Sequence, residues 1–334
     1  MTGWYTIAPA GAIAIGNLTP VGQNSGQVGC RWPPNGHQLA ACLNLPKDCQ
    51  LWGPFWYSGR EMYVTLPLPV YCLESKTLEL PQEIFRMQWR DEQWQVRPEH
   101  QAQAIELIGG RYLIAGKTLK QLWQQGQMKN SQLQLQELPW QTLTLSHNSR
   151  EDYQVKDEGG FFAEMTTLIK PGWSILVKVI GEYEKDKPDD QKNKPKWSFL
   201  GAGATPVLIS PVRVIDSWLT AECSNSTGAV LLTGALWQQG HRKVSCPVPS
   251  VPIKAYAAET GIPWQSWKKV KHHDDSNRRV QVLTPGEWMT PAGAVYLWEG
   301  TAPLKQSEPL PDSHHRHVLG YGHLWLFEDK LDGN

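Results

Sequence analysis

Two clusters of histidine and acidic residues in this chain have the residue types that bind metal ions. The first is the run His-His-Asp-Asp at 272–275, and the second is the run His-His-Arg-His at 314–317. Imidazole and carboxylate groups ligate metals, and imidazole also titrates near neutral pH. Adjacent residues on an extended chain point to opposite sides, and no regularly spaced carboxylates complete either cluster. We therefore interpret both clusters as surface loops and predict no metal, no cofactor and no catalytic residue.

A cluster of basic residues has the side chains that bind phosphate groups. It lies close to Trp264 and Trp267 and consists of Lys268, Lys269, Lys271, Arg278 and Arg279. Lysine and arginine neutralise phosphates, and aromatic rings stack on unpaired bases. The alternative is a solvated loop, because two aspartates interrupt the run. We favour RNA contact for Lys268, Lys269, Arg278 and Arg279.

A predicted helix start between residues 33 and 43 offers backbone donors to an anion. The run Pro-Pro-Asn at 33–35 places prolines before a capping residue, and the apolar residues that follow fall on one helix face. Exposed N–H groups and the positive end of the helix dipole favour phosphate, which makes Arg31, Asn35 and His37 candidates for RNA contact. The alternative is local capping by Asn35, with His37 a partly buried packing residue.

Glycines precede two apolar runs, at 290–298 and 318–327, that are rich in β-branched and aromatic residues. This pattern predicts two buried strands. Each is preceded by a backbone segment that packs closely against neighbouring atoms. We interpret Gly320 and Gly322 as parts of a contact surface. Arg150 is a further basic candidate for RNA contact, and it stands alone in a polar turn.

The remaining elements predict a chain of many short strands. Strands are expected in the ranges 5–15, 62–66, 111–114 and 170–180, and a helix is expected at 119–125. The charged segment 182–196 predicts a mobile loop. The glycine run at 200–205 has no P-loop ending and is a weak phosphate motif.

Composition limits the classes of function. The sequence has 334 residues with 32 basic and 32 acidic side chains, so a nucleic acid must be held locally rather than by a basic excess. The 17 tryptophans suit core packing, protein contact or base stacking. The six cysteines show no metal-ligand spacing, and no apolar run is long enough to cross a membrane. A cytoplasmic protein without membrane insertion is the expectation.

Short motifs follow one another along the whole chain in a fixed order: Pro33-Pro-Asn-Gly-His37, Gly53-Pro-Phe55, Gly159-Gly-Phe161, Lys170-Pro-Gly-Trp173, Leu200-Gly201, Leu231-Leu-Thr-Gly234, Pro291-Ala-Gly-Ala-Val-Tyr296 and Gly320-Tyr-Gly322. This order resembles the family of subunit three of the type III-B Cmr CRISPR complex. Single tripeptides occur by chance, and the resemblance depends on their collinearity. The chain departs from the family at Ile15-Gly-Asn17, where family members often have an Arg-Asp pair.

The resemblance implies an α+β fold of the RAMP (repeat-associated mysterious protein) superfamily, built from two modified ferredoxin-like, RRM-like β-α-β-β-α-β units with long insertions. The units would be an N-terminal domain at 1–141 and a C-terminal domain at 142–334. The implied function is a noncatalytic subunit of a hetero-oligomeric ribonucleoprotein. It would bind the 5′ repeat handle of the CRISPR RNA (crRNA) and join the large palm-domain subunit to the backbone RAMP subunit. The resemblance also implies that Gly320 and Gly322 lie close to RNA or to neighbouring subunits, so both are candidates for RNA contact.

Two other functions stay open at this point. One is a metal-independent endoribonuclease of the same superfamily that processes CRISPR repeat RNA, with His37 as general acid or base. The other is an unrelated β-rich protein-interaction module, which would contain no RNA when purified with its partners.

Overall fold

The structure is a computed structural model, and it describes most of the chain. The described residues are 2–16, 26–28, 30–74, 80–129, 132–148, 150–151, 154–155, 161–184, 194–237, 248–265, 267–271, 279–283 and 286–329. Part of the predicted loop at 182–196, namely 185–193, lies outside the described residues, as do His272–Arg278.

Short β-strands dominate the first half of the chain. They are β1 Gly3–Pro9, β2 Gly26–Val28, β3 Gln50–Ser58, β4 Glu61–Thr65, β5 Val70–Leu73, β6 Glu83–Arg86, β7 Gln88–Arg90, β8 Gln93–Gln95, β9 Ile105–Leu107, β10 Tyr112–Ala115, β11 Gln127–Lys129, β12 Leu135–Glu137, β13 Trp140–Asn148 and β14 Arg150–Glu151. The α-helices here are α1 Gly36–Leu43 and α2 Gly116–Gln125, and a 3-10 helix spans Pro98–His100. The predicted strands at 62–66 and 111–114 and the helix at 119–125 are confirmed within a few residues.

Short β-strands also dominate the second half of the chain. Its strands are β15 Gln154–Val155, β16 Phe161–Ile169, β17 Ser174–Ile180, β18 Lys196–Leu200, β19 Thr205–Val212, β20 Gly228–Leu231, β21 Ile253–Ala257, β22 Ile262–Trp264, β23 Trp267–Lys271, β24 Arg279–Leu283, β25 Glu287–Met289, β26 Val295–Trp298, β27 Glu308–Pro309 and β28 His323–Phe327. Helix α3 covers Ser217–Thr220, and a 3-10 helix covers Arg316–Leu319. All residues of β26 and β28 are buried, so the two strands predicted after the glycines are confirmed.

The largest sheet is antiparallel and has the strand order β12-β10-β4-β3-β17-β1-β19-β18. Strand β1 lies between β17 and β19, and β17 separates β1 from β3. Side chains alternate between two faces, as the period of a strand requires. One face, with Tyr5, Ile7 and Leu51, is covered by α1. The opposite face, with Trp4, Phe55 and Leu176, packs toward the other large sheet.

That second sheet has the order β21-β26-β20-β28-β27 and is also antiparallel. Its Val230, Trp325 and Phe327 face the first sheet and share one apolar core with α2. Its other face carries a smaller core that includes Tyr296 and Leu324. The molecule is therefore held together by two stacked sheets, with α1 outside one of them.

Both sheets contain the same arrangement of four strands. Numbered by chain order, β1, β3, β17 and β19 have the spatial order fourth, first, third, second, and so do β20, β21, β26 and β28. This is the strand order of a β-α-β-β-α-β unit. In the described residues, however, only the connection from β1 to β3 contains an α-helix, and the connection from β17 to β19 contains strand β18 instead. The α+β class is confirmed, and the complete ferredoxin-like repeat stays a prediction.

The domain division at 141/142 also stays a prediction. Strands β17, β18 and β19 come from the second predicted domain, yet they complete the sheet that begins with β1. In the described part of the chain no helix is long and apolar enough to span a membrane.

Candidate nucleic-acid interface

The glycine turn that leads into β28 is buried against the chain's own backbone. Gly320 has φ +82°, and a Cβ on it would lie 2.7 Å from the carbonyl oxygen of Gly53. The Thr233 hydroxyl donates to the Gly320 carbonyl at 2.6 Å and accepts from the His323 amide at 3.0 Å. Gly322, with φ +70°, is also buried and packs against Trp237. Both glycines have a left-handed backbone conformation that strains other residues, and at Gly320 a side chain would also strike the backbone of Gly53.

Helix α1 begins beside this turn, and the first amides of the helix already have hydrogen-bond partners. The Asn35 side chain accepts hydrogen bonds from the amides of His37 at 3.1 Å and Gln38 at 3.2 Å. The Gln38 side chain in turn accepts from the Asn35 amide at 2.8 Å, which completes a capping box. A Cβ on Gly36 would overlap the Leu319 carbonyl. The capping interpretation of Asn35 therefore accounts for its position, and the helix start is packed rather than open.

A small cavity separates these two segments. It has a volume of about 30 Å³ and is lined by Pro34, Gly53, Thr233 and Tyr321, among others. A space of this size holds about one water molecule. A nucleotide base does not fit into it, so the contact between α1 and the glycine turn is not itself a base-binding pocket.

Five side chains form a cluster that we call the aromatic junction: His37, Trp264, Glu287, Arg316 and Tyr321. His37 Nδ1 lies 2.9 Å from the Tyr321 hydroxyl, and the rings of His37 and Trp264 are 5.6 Å apart. The Arg316 guanidinium lies 5.6 Å from the centre of the Trp264 ring. Its Nη2 atom donates to both carboxylate oxygens of Glu287 at 2.9 Å. The junction joins α1, the turn before β28 and the strand pair β22–β25.

Burial fixes the protonation states within the aromatic junction. It lowers the pKa of His37, and the nearby positive charge of Arg316 lowers it further. Burial also raises the pKa of Tyr321, which is 5% exposed. At neutral pH His37 is therefore an uncharged imidazole and Tyr321 an uncharged phenol.

The basic cluster predicted from sequence lies on a two-stranded ribbon that extends from the aromatic junction. Trp264 pairs with Glu287 at the end of β22 and β25, and the ribbon of β23 and β24 continues from there. In its register, Lys269 is opposite Gln281 and Lys271 is opposite Arg279. Lys268 is on β23 opposite Val282, and Arg278 lies outside the described residues. We call β23 and β24 the basic ribbon.

Other predicted candidates lie in different surroundings. The Arg31 amide donates to the Ile15 carbonyl at 3.1 Å, and burial lowers the pKa of its guanidinium. Arg150 pairs with Val155 in the short ladder of β14 and β15. The structure thus brings Asn35, His37 and Gly320 together at one place and leaves Arg150 on a separate element.

Of the two histidine clusters, the structure describes only the second, at 314–317. The run at 272–275 lies outside the described residues. In the second cluster His317 Nδ1 is 3.3 Å from Asp312, and Arg316 belongs to the aromatic junction. Among the described residues no group of three or more potential metal ligands is present.

Several residues of the aromatic junction and the glycine turn were not found by sequence reasoning. Arg316 was noted only as a member of the histidine run at 314–317, yet it is central to the junction. Its partner Glu287 is too distant in sequence for any spacing rule to connect them. Thr233 and Gly53 lie within motifs that carried the family resemblance, and the order of those motifs was the only signal that could have found them.

Comparisons with known proteins give structural likeness alone. No family model matches the chain, and no curated protein matches it. A solved chain from the type III-B Cmr-beta complex bound to cognate target RNA is similar with a TM-score of 0.48 and 9% identity, over 88% of this chain and 86% of that one. A second such chain, from the complex bound to cognate target RNA and AMPPnP, has a TM-score of 0.45, 10% identity and the same coverage.

Proposed function

We propose that this chain is a noncatalytic subunit of a type III CRISPR ribonucleoprotein that binds the 5′ repeat handle of the crRNA. It bridges the large palm-domain subunit and the backbone RAMP subunit. The observation that carries the proposal is the basic ribbon anchored on the aromatic junction, which joins segments that include several of the collinear motifs. The resemblance in motif order supplies the identity of the RNA and of the protein partners.

The anchoring of the ribbon supports a role in binding. Arg316 is 13% exposed and Glu287 26% exposed, and their two hydrogen bonds hold the end of β25 on the turn before β28. Charge-assisted hydrogen bonds of this kind are geometrically specific. A ribbon held at its base loses less conformational entropy on binding an RNA than a free loop does.

The charge balance supports a small RNA footprint. With 32 basic and 32 acidic residues, the chain lacks the overall positive field of a free-standing RNA-binding protein. A few phosphate contacts suit a subunit that holds one end of a guide while neighbouring subunits hold the rest.

The ribbon contacts are tested by the salt dependence of handle binding. Alanine at Lys268, Lys269, Arg278 and Arg279 should weaken binding of a handle RNA by the full-length chain. It should also reduce the slope of log affinity against log salt by about 0.7 for each phosphate that is no longer neutralised. The matched control replaces four exposed cations elsewhere, which are Arg90, Lys117, Arg213 and Lys254. Equal slopes in the ribbon variant and the unaltered chain would contradict the proposal.

The endoribonuclease alternative has one observation in its favour, which is that His37 is an uncharged imidazole at neutral pH and is able to accept a proton. Its Nδ1 atom is already bonded to the buried Tyr321 hydroxyl, which suits packing more than proton transfer. A cleavage assay on repeat RNA separates the two functions. We expect no cleavage by the purified chain; cleavage that disappears in His37→Ala would replace the scaffold proposal.

A further inference from the structure

Among the described residues, the second sheet does not cover the face of the largest sheet that includes its edge strand β18. On the edge strand β18, Trp197 is 67% exposed and Phe199 is 62% exposed. The two residues alternate with Lys196, Ser198 and Leu200, so both lie on the same face of the strand, with their Cα atoms about 7 Å apart. Large aromatic rings are seldom this exposed in a row, and such a patch marks a binding surface.

The strand register continues this patch across the sheet. Trp197 is opposite Leu208, which is opposite Ala8, and Phe199 is opposite Pro206. Paired residues of antiparallel strands share a face, so these side chains form one surface.

A groove of about 480 Å³ continues from Ala8 and is lined by Thr6, Ser174 and Tyr57. Tyr57 is opposite Ser174 in the register of β3 and β17. We call this surface the sheet trough; its floor is Ala8, Ser174 and Leu208, and its sides are Tyr57 and the pair Trp197 and Phe199.

The charge around the sheet trough favours an anionic occupant. Among the described residues, the groove lining contains Lys170 and no carboxylate. Lys170 pairs with Glu137 at 3.3 Å, but both side chains are about half exposed or more, and such a pair is easily exchanged for a phosphate contact. Arg60 is exposed on the turn next to Gly59, which lines the groove, and it has no ion-pair partner in the part of the chain that the structure describes.

We propose that the sheet trough is a second RNA-binding surface, which stacks unpaired bases of a single strand on Trp197 and Phe199. The small side chains of Ala8 and Ser174 in the floor let an RNA strand lie close to the sheet. Aromatic rings stack on any base. Arg60 and Lys170 contact its phosphates. This surface consists of elements other than the basic ribbon, so the inference does not rest on the proposed handle binding.

The test uses the full-length chain with alanine at Lys268, Lys269 and Arg279, so that the remaining RNA binding reports on the sheet trough. The probe is a short fluorescent polyuridine RNA, and the readout is anisotropy at low salt. Adding Trp197→Ala and Phe199→Ala should reduce affinity at least about tenfold, since each stacked base contributes strongly to binding. Tyr256→Ala, which removes a ring that is 47% exposed on β21, is the control and should leave affinity unchanged.

The outcomes separate this inference from the proposed function. Polyuridine binding that is insensitive to the Trp197 and Phe199 changes, or absent from the ribbon variant, would overturn the sheet trough proposal and leave the ribbon result standing. Protection of β18 by a protein subunit in an RNA-free assembly, measured by hydrogen exchange, would overturn it as well. Both variants change exposed side chains, so an unchanged thermal transition confirms that the fold is intact.

Discussion

His323 lies in an environment that strongly disfavours the protonated form of its imidazole. Its side chain is completely buried, it contacts the rings of Trp52 and Phe55, and neither ring nitrogen has a hydrogen-bond partner among the described residues. Burial, with a smaller effect from the positive charge of Lys178, lowers the pKa of His323 to about 3. The native state therefore keeps this imidazole neutral over a pH range in which an unfolded chain protonates it.

This difference predicts a pH dependence of the free energy of unfolding. The stability that depends on neutral His323 is fully present above the unfolded-state pKa and is lost as pH falls from there toward about 3. Its slope reaches about 1.4 kcal/mol per pH unit. In His323→Phe we expect this part of the slope to disappear, as measured by urea unfolding between neutral and mildly acidic pH. His314→Gln, at an exposed position, should keep the slope; a slope unchanged in His323→Phe would contradict the account.

Gly320 gives a second prediction at the residue scale. Gly320→Ala combines a left-handed backbone conformation with a clash against the Gly53 carbonyl, and we expect a loss of about 2–4 kcal/mol in the free energy of unfolding. Gly172 is a matched control, because its φ is +81° and an added Cβ would meet nothing within 4 Å among the described residues. Gly172→Ala should cost only about 1 kcal/mol. Equal destabilisation of the two variants would show that the close approach at Gly320 does not matter.

At the scale of elements, the aromatic junction determines where the basic ribbon begins. Arg316 and Glu287 connect the 3-10 helix Arg316–Leu319 to the strand pair β22–β25, and His37 connects α1 to both through Tyr321 and Trp264. Because these elements are far apart in sequence, they are brought together only in the folded chain. The ribbon is thus positioned by tertiary contacts rather than by its own two strands, which are marginal alone.

A double-mutant cycle measures this connection. We expect Arg316→Gln and Glu287→Gln to show a coupling free energy of about 1–2 kcal/mol in urea unfolding, because the pair is mostly buried and doubly hydrogen-bonded. The control cycle uses Lys170 and Glu137, which are 49% and 69% exposed, and should give a coupling near zero. Similar coupling in both cycles would mean that the junction is no stronger than a surface ion pair.

At the scale of the whole molecule, the sequence predicts local elements but not the contacts between distant ones. Local signals predicted the capped helix α1 and the buried strands β26 and β28, because capping residues and apolar runs act over a few neighbouring positions. The pairing of β1 with β17 and β19 could not be predicted, since no local pattern specifies contacts across such sequence separations. For the same reason Gly320 was interpreted as a contact surface, while its neighbour in the fold is Gly53 of the same chain.

The stacked sheets also explain why one molecule can carry two separate surfaces. The apolar core between them uses one end of the largest sheet, and the face around Trp197 and Ala8 stays outside it. The aromatic junction lies where α1 meets the turn before β28. The proposed binding of the crRNA handle and the proposed binding of a second RNA segment at the sheet trough therefore do not compete for the same residues.

The most direct test of the central claim is to purify the native assembly through this chain and crosslink it to its RNA. The bound RNAs are then sequenced, and the crosslinked nucleotides are located. We predict short RNAs that share one 5′ sequence, with crosslinks from the basic ribbon to that shared 5′ segment. An assembly without RNA, RNAs with unrelated 5′ ends, or ribbon crosslinks confined to the 3′ part of the guide would contradict the account.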